Sequence, residues 1–213
     1  MWPAPVQVAN FVHYSSASSG NESKFTSRSC FNKLMAILET PRLVLRPFHD
    51  DDLDLLATLM SNADFMRFSL GPQSREKTAA FLEKMQARDR AGEPSQFAVI
   101  LHATGKLIGF CGFLGQNVDG VERIEIGYRF HLDYWGLGIA TEAAHAVRDH
   151  AFQVLKLNQV ISLVHPDNIA SRRVAEKNGL MMERETTFRG FPTIVYSMNR
   201  AEFDAPKTQS AAG

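Results

Sequence analysis

Apolar and polar positions alternate from Arg42 to Arg46, with Leu43 and Leu45 facing one way and Arg42, Val44 and Arg46 the other. A period of two marks a strand half-buried in a sheet, and Pro47 ends it. Asp50-Asp51-Asp52 then supplies an N-cap and first-turn acids for a helix carrying Leu53, Leu56 and Met60. Ser74 caps a second helix, with Phe81, Leu82 and Met85 on one face, which ends before Gly92. Strands are predicted over 96–101 and 106–114, joined at Ala103-Thr104-Gly105, with another turn over 117–120. Residues 123–130 form the next strand, with Ile124, Ile126, Tyr128 and Phe130 on one side. The period then changes to 3.6: Ala140, Ala143, Ala144, Val147, Ala151 and Leu155 mark a helix over about 137–154. A β-branched strand at 160–164, a helix at 169–178 stopped by Gly179, and two strands around Arg189-Gly190-Phe191-Pro192 complete the pattern.

The predicted order is βααβββαβαββ. Three strands joined by tight turns imply an antiparallel meander, and the strand–helix–strand of 123–164 implies a parallel crossover. The expected class is therefore α/β: a mixed, mostly antiparallel sheet of about seven strands with helices on both faces. Residues 1–34 lack any period and include the small polar run from Ser15 to Asn21, so this stretch is read as a disordered extension. Met35 is an alternative start, 35–203 is read as one domain, and 204–213 as a flexible tail.

Composition narrows the picture. The chain has 213 residues, with 23 basic and 23 acidic, and a net charge of zero. That balance argues against direct nucleic-acid or membrane-surface binding, which needs a basic excess. No apolar run reaches the ~18–20 residues of a transmembrane helix. Two cysteines, Cys30 and Cys111, suit a reducing cytoplasm rather than a disulfide framework.

The segment between the 123–130 strand and the following helix carries the most chemistry. Gly136 and Gly138 remove side chains at alternate positions, so backbone N–H groups can approach an anion closely. The loop opens into a helix start, whose first N–H groups are unpaired and whose dipole is positive there. Strand, glycine loop and helix start together make a phosphate cradle. Two glycines alone can also serve only to turn the chain. A dinucleotide fingerprint would place a third glycine where Thr141 stands.

Several pieces taken together resemble the GCN5-related N-acetyltransferases, in the branch of the ribosomal-protein N-terminal acetyltransferases. Trp135-Gly136-Leu137-Gly138-Ile139-Ala140 matches the family's acetyl-CoA motif Gln/Arg-x-x-Gly-x-Gly/Ala, except that Trp135 stands at the first position. The segments 39–46, Ile126-Gly127-Tyr128, Thr141-Glu142-Ala143 and 168–179 match in the family order, over residues 36–200. The resemblance implies the fold of that family and acetyl-CoA as cofactor. It implies that the backbone of Tyr128, Arg129 and Phe130 pairs with the pantetheine arm. It implies further that N–H groups of Gly136, Leu137, Gly138, Ile139, Ala140 and Thr141 hold the pyrophosphate, and that Asn168 hydrogen-bonds the pantetheine.

Acetyl transfer to an amine requires a base for the amine, a donor for the oxyanion and a proton for the leaving thiolate. Glu125, on the strand leading into the loop and opposite the Ile124/Ile126 face, is the candidate base, acting through water. The competing role is an edge-face Glu paired with an Arg. The Tyr128 N–H is the implied carbonyl donor. Ser171 matches a serine that serves as acid in that branch, and it also stands where a helix cap belongs. No tyrosine lies between Trp135 and Tyr196, and 186–189 offers no carboxylate, although Glu183 and Glu185 lie just before. Cys111 sits among Ile108, Phe110 and Phe113 and reads as core. His145 and His150 are five apart, which is not a helix-face metal pair, so no metal is expected. Phe65, Phe68, Phe81, Phe97, Phe110 and Phe113 read as core, while 65–71 is where the family shapes its acceptor pocket.

The expected activity is therefore acetyl-CoA-dependent acetylation of a primary amine, either a protein N-terminus or a small amine such as an aminoglycoside or polyamine. A catalytically silent CoA-binding module and a nucleotide-binding protein are the alternatives. Homodimers are common in the family, and nothing in these residues requires one.

Overall fold

The computed structural model describes residues 38–205. The expectations for residues 1–34, for Met35 and Cys30, and for the tail beyond 205 lie outside the described residues. Within them, eight strands form one sheet: β1 (Leu38–Glu39), β2 (Leu43–Arg46), β3 (Gln96–Leu101), β4 (Lys106–Val118), β5 (Val121–Phe130), β6 (Gln159–Val164), β7 (Met181–Phe188) and β8 (Phe191–Asn199). Their spatial order is β1-β2-β3-β4-β5-β6-β8-β7. The strand beyond the expected seven is β1. Its two residues pair with β2 at Leu38↔Leu45 and Glu39↔Val44, and two residues are too few for a period to register. All pairings are antiparallel except β5 with β6, as the crossover required.

The helices are α1 (Leu53–Ser61), α2 (Arg75–Ala91), α3 (Ile139–Asp149), α4 (Ile169–Lys177) and α5 (Arg200–Asp204). The helix expected over 137–154 begins two residues later, and its last turn, His150–Val154, is π-wound. Ser74 accepts from the Lys77 N–H at the start of α2, and Gly92, left-handed at φ 69, ends that helix.

Two packed layers flank the sheet. On one face Leu56, Leu59, Met60, Leu82 and Met85 of α1 and α2 pack with Phe48, Ala98 and Phe110. On the other, Ile139, Ala143, Val147 and Ala175 of α3 and α4 pack with Phe97, Val99, Cys111, Phe113 and Ile126. Burying such side chains drives association of the layers, at about 25 cal/mol per Å² of apolar surface. Arg46 holds the end of β2 to the α1 entry through two hydrogen bonds to Asp52, 2.7 and 2.8 Å long.

The β4–β5 hairpin closes on Asp119 and Gly120, both left-handed at φ 52 and 84. That two-residue turn fixes Val118↔Val121, and the register then runs on to Leu114↔Glu125 and Phe110↔Arg129. The side-chain period of two puts Arg129, Gly127 and Glu125 on the face of α1 and α2. It puts Tyr128 and Ile126 on the face of α3 and α4.

Candidate active site

The parallel strands β5 and β6 share a single register pair, Glu125↔Ile161. The Ser162 hydroxyl donates to the Ile126 carbonyl at 2.9 Å. Beyond that point the two strands part. Residues 127–130 stay paired with β4, and their edge toward β6 has no strand partner among the described residues. An extended ligand can add to such an edge by backbone hydrogen bonds.

Past the open edge comes the glycine loop. Gly136 and Gly138 are left-handed at φ 74 and 77, a conformation that L side chains rarely adopt. Gly138 is the N-cap of α3 without a side-chain cap. The first helical bond runs from the Glu142 N–H to the Gly138 carbonyl, 3.0 Å, so the N–H groups of Ile139, Ala140 and Thr141 stand at the helix's positive end without intrahelical partners. These groups fit a pyrophosphate. The indole N–H of Trp135 donates to the Phe130 carbonyl at 2.8 Å. The departure at the motif's first position therefore fastens the loop to the end of β5.

A second fastening was not legible in the chain order. Glu142, in the first turn of α3, accepts from the Thr40 hydroxyl (2.6 Å), the Arg42 N–H (2.9 Å) and Arg42 Nε (2.6 Å). Arg42 Nη1 also donates to the Leu137 carbonyl at 2.9 Å. Burial works against the Glu142 charge, but the bonds from Thr40 and Arg42 outweigh it and hold the carboxyl below its usual range. The matching pieces around Thr40-x-Arg42 and Thr141-Glu142 are thus two halves of one clamp on the loop.

Glu125 lines a cleft of about 200 Å³, together with Phe68, Leu70, Leu163, Phe188 and Arg189. The cleft lies between the α1–α2 connection and the β7–β8 hairpin. Glu125 Oε2 accepts from the Gln116 amide at 2.6 Å, and Gln116 Oε1 accepts from Arg189 at 3.1 Å. Burial pushes the Glu125 carboxyl above the usual range, and Gln116, the Leu163 N–H, Arg189 and Arg129 oppose that rise without cancelling it. A carboxylate displaced upward in a partly apolar cleft is a stronger base than an ordinary glutamate, which suits a proton acceptor. Of the six phenylalanines named from the sequence, Phe68 lines this cleft; the other five are core or packed against it.

On the opposite face, the Tyr128 phenol donates to the Ser171 carbonyl at 3.0 Å. Burial pushes that phenol up. A tyrosine hydroxyl thus sits beside Ser171, although none lies between Trp135 and Tyr196 in the chain. Asn168 is the N-cap of α4, its Oδ1 accepting from the Ser171 N–H at 3.1 Å. Its amide NH₂ remains the group to offer a ligand. Glu125 and Ser171 therefore stand on opposite faces of β5, beside the gap where β5 and β6 part.

Other candidates resolve into structural roles. Glu183 pairs with Arg123 at 2.7 Å and is absent from the cleft lining. Cys111 is fully buried, and burial pushes its thiol up. His145 bonds the Lys177 carbonyl at the end of α4, 2.9 Å away. Arg129 is the residue whose setting the sequence hid. Its Nη1 lies 2.8 Å from the Met66 sulfur, its guanidinium 5.9 Å from the Phe65 ring, and burial brings its pKa down to about 10.

The profile of the acetyltransferase (GNAT) domain matches residues 42–181. The Bacillus subtilis protein YkkB is 31% identical over 160 residues, covering 75% of this chain and 93% of that protein. Spermidine N(1)-acetyltransferase of Escherichia coli is 28% identical over 142 residues, covering 66% and 74%. An acetyltransferase structure from Agrobacterium tumefaciens superposes with TM-score 0.68 at 27% identity, covering 84% and 99%. RimL, a ribosomal L7/L12 α-N-protein acetyltransferase solved with coenzyme A, superposes with TM-score 0.65 at 18% identity, covering 77% and 98%; that likeness speaks for the fold. The chain belongs to the GNAT acetyltransferase family and is an acyltransferase.

Proposed function

We propose that this acyltransferase takes an acetyl group from acetyl-CoA and passes it to a primary amine by direct attack. The observation that carries the reading is the placement of Glu125. Its carboxyl faces a cleft at the residue where β5 and β6 part, one strand edge away from the phosphate cradle. Bound acetyl-CoA would supply a thioester carbonyl carbon open to attack. The backbone of Tyr128, Arg129 and Phe130 would pair with its pantetheine arm, and the N–H groups of 136–141 would hold its pyrophosphate. The Asn168 amide would add a hydrogen bond to the arm.

Glu125 takes the amine's proton, directly or through water. The Tyr128 N–H donates to the reacting carbonyl oxygen. Ser171, with the Tyr128 phenol beside it, protonates the leaving sulfur. The acceptor enters from the α1–α2 face, so amine and thiolate are handled on opposite sides of β5.

Calorimetry and a thiol-release assay test this. Acetyl-CoA should bind more tightly than NAD or ATP, and a panel of amines should release free CoA. Glu125→Gln should lower kcat/KM by about 10²–10⁴-fold while acetyl-CoA binding persists. Absence of acetyl-CoA binding refutes the proposal. Binding without turnover on any amine makes the chain a silent CoA module, and unchanged turnover in Glu125→Gln removes Glu125 as base.

A further inference from the structure

The acceptor cleft has a charge pattern that chooses among amines. Glu125 is the sole acid among its lining residues. Two guanidiniums, Arg189 and Arg129, lie near enough to act on the Glu125 charge. Arg189 lines the cleft itself, stacked over the Phe188 ring at 5.0 Å. One carboxylate with the Arg189 guanidinium in the same cleft attracts one ammonium and repels a second. A polyamine, with several cationic groups, is therefore a poor match.

The placement of Arg189 is also specific. A relay of two hydrogen bonds, 3.1 and 2.6 Å long, joins it through the Gln116 side chain to Glu125. An acid and a base held on the two ends of one amide lie a small molecule's length apart. An amine on Glu125 thus leaves an adjacent anion within reach of Arg189, whose planar fork matches a carboxylate. The remaining walls set Phe68, Leu70, Leu163, Phe188, Phe191 and Pro192 beside the polar Ser69, His165 and Thr193. The volume, about 200 Å³, is below the roughly 300–1,000 Å³ of clefts for drug-sized ligands.

Resting on the proposed amine acetylation, we propose that the acceptor is a free α-amino acid with an apolar side chain. Its ammonium meets Glu125, its carboxylate meets Arg189, and its side chain lies against the phenylalanines. The nitrogen bonds to the acetyl carbon as the carbon–sulfur bond breaks. Of the two protons the ammonium loses, one leaves through Glu125 to solvent and one ends on the sulfur. The products are an N-acetyl amino acid and free CoA.

The test is an acceptor series read by thiol release: L-phenylalanine, L-leucine, phenethylamine, spermidine, and an amidated peptide with an N-terminal phenylalanine. Phenylalanine should exceed phenethylamine in kcat/KM by about tenfold or more, the worth of one charge-assisted hydrogen bond. Spermidine and the peptide should fall below both amino acids. Arg189→Leu should bring the phenylalanine-to-phenethylamine ratio to about threefold or less, and Arg189→Lys, which keeps the cation, should retain a ratio above that of Arg189→Leu. A best acceptor that is spermidine, phenethylamine or the peptide overturns the inference and leaves amine acetylation standing. So does a ratio that Arg189→Leu does not move. No turnover on any amine defeats the underlying function instead.

Discussion

Glu125 is held between opposing effects. Burial disfavours its charge, while the Gln116 amide, the Leu163 N–H and two arginines favour it, and burial prevails. A base must be ionised to accept a proton, so kcat/KM should rise as pH passes upward through the Glu125 pKa. Gln116→Leu removes the 2.6 Å hydrogen bond that lowers this pKa. Its acidic limb should therefore move to higher pH, with the plateau rate retained where Glu125 is fully ionised. An unmoved limb in a pH–rate profile would show that a different group titrates. Glu125 itself was legible as a candidate, because it is the one acid in the 123–130 strand that leads into the glycine loop. Gln116 and Arg189 were not. Gln116 reaches Glu125 across a hairpin and Arg189 reaches Gln116 over 73 residues of chain, and no local period records such a meeting.

At the scale of elements, the cofactor cradle is a helix start clamped to a strand start. Glu142 holds α3 to the chain before β2 through bonds from Thr40 and Arg42. Cutting the clamp should loosen the loop without touching the acceptor cleft. Glu142→Ala is expected to raise KM for acetyl-CoA by about tenfold, about 1.4 kcal/mol, and to leave kcat within a factor of two or so. A larger loss in kcat than in affinity would mean the clamp positions something besides the cofactor. Gly138→Ala attacks the same cradle from within. At φ 77 a Cβ costs about 1–2 kcal/mol, so this variant should lose both thermal stability and acetyl-CoA affinity in calorimetry. The loop and its helix were readable from two glycines and a change of period. The clamp was readable only as matching words about a hundred residues apart, whose physical meaning is a contact.

At the scale of the whole molecule, α2 carries a penalty at neutral pH. Asp89 sits in its last turn, 4% exposed, with Oδ2 lacking a hydrogen-bond partner. Burial lifts its carboxyl from 3.8 to about 6, and the helix end adds no help to an anion. A raised folded pKa contributes stability that is fully present below the unfolded value and lost as pH rises through the folded one. The window is therefore about pH 4 to 6. Asp89→Asn should raise Tm at pH 8 by several degrees, at about 2–4 °C per kcal/mol for a chain of this size, and change it little at pH 4. Equal shifts at both pH values would show that charge is not the cause. The sequence by itself determined the order and type of the elements, the mixed sheet with helices on both faces, and the glycine cradle. Those follow from the periods of two and 3.6 and from backbone conformations that glycine alone adopts freely, and both are local. Only the tertiary structure decided that β5 and β6 part after Glu125, that Glu125 and Ser171 lie on opposite faces, and that Gln116, Arg129 and Arg189 surround the carboxylate. Those depend on strand register and on packing between distant segments, where the energy belongs to pairs of residues that the chain does not place side by side.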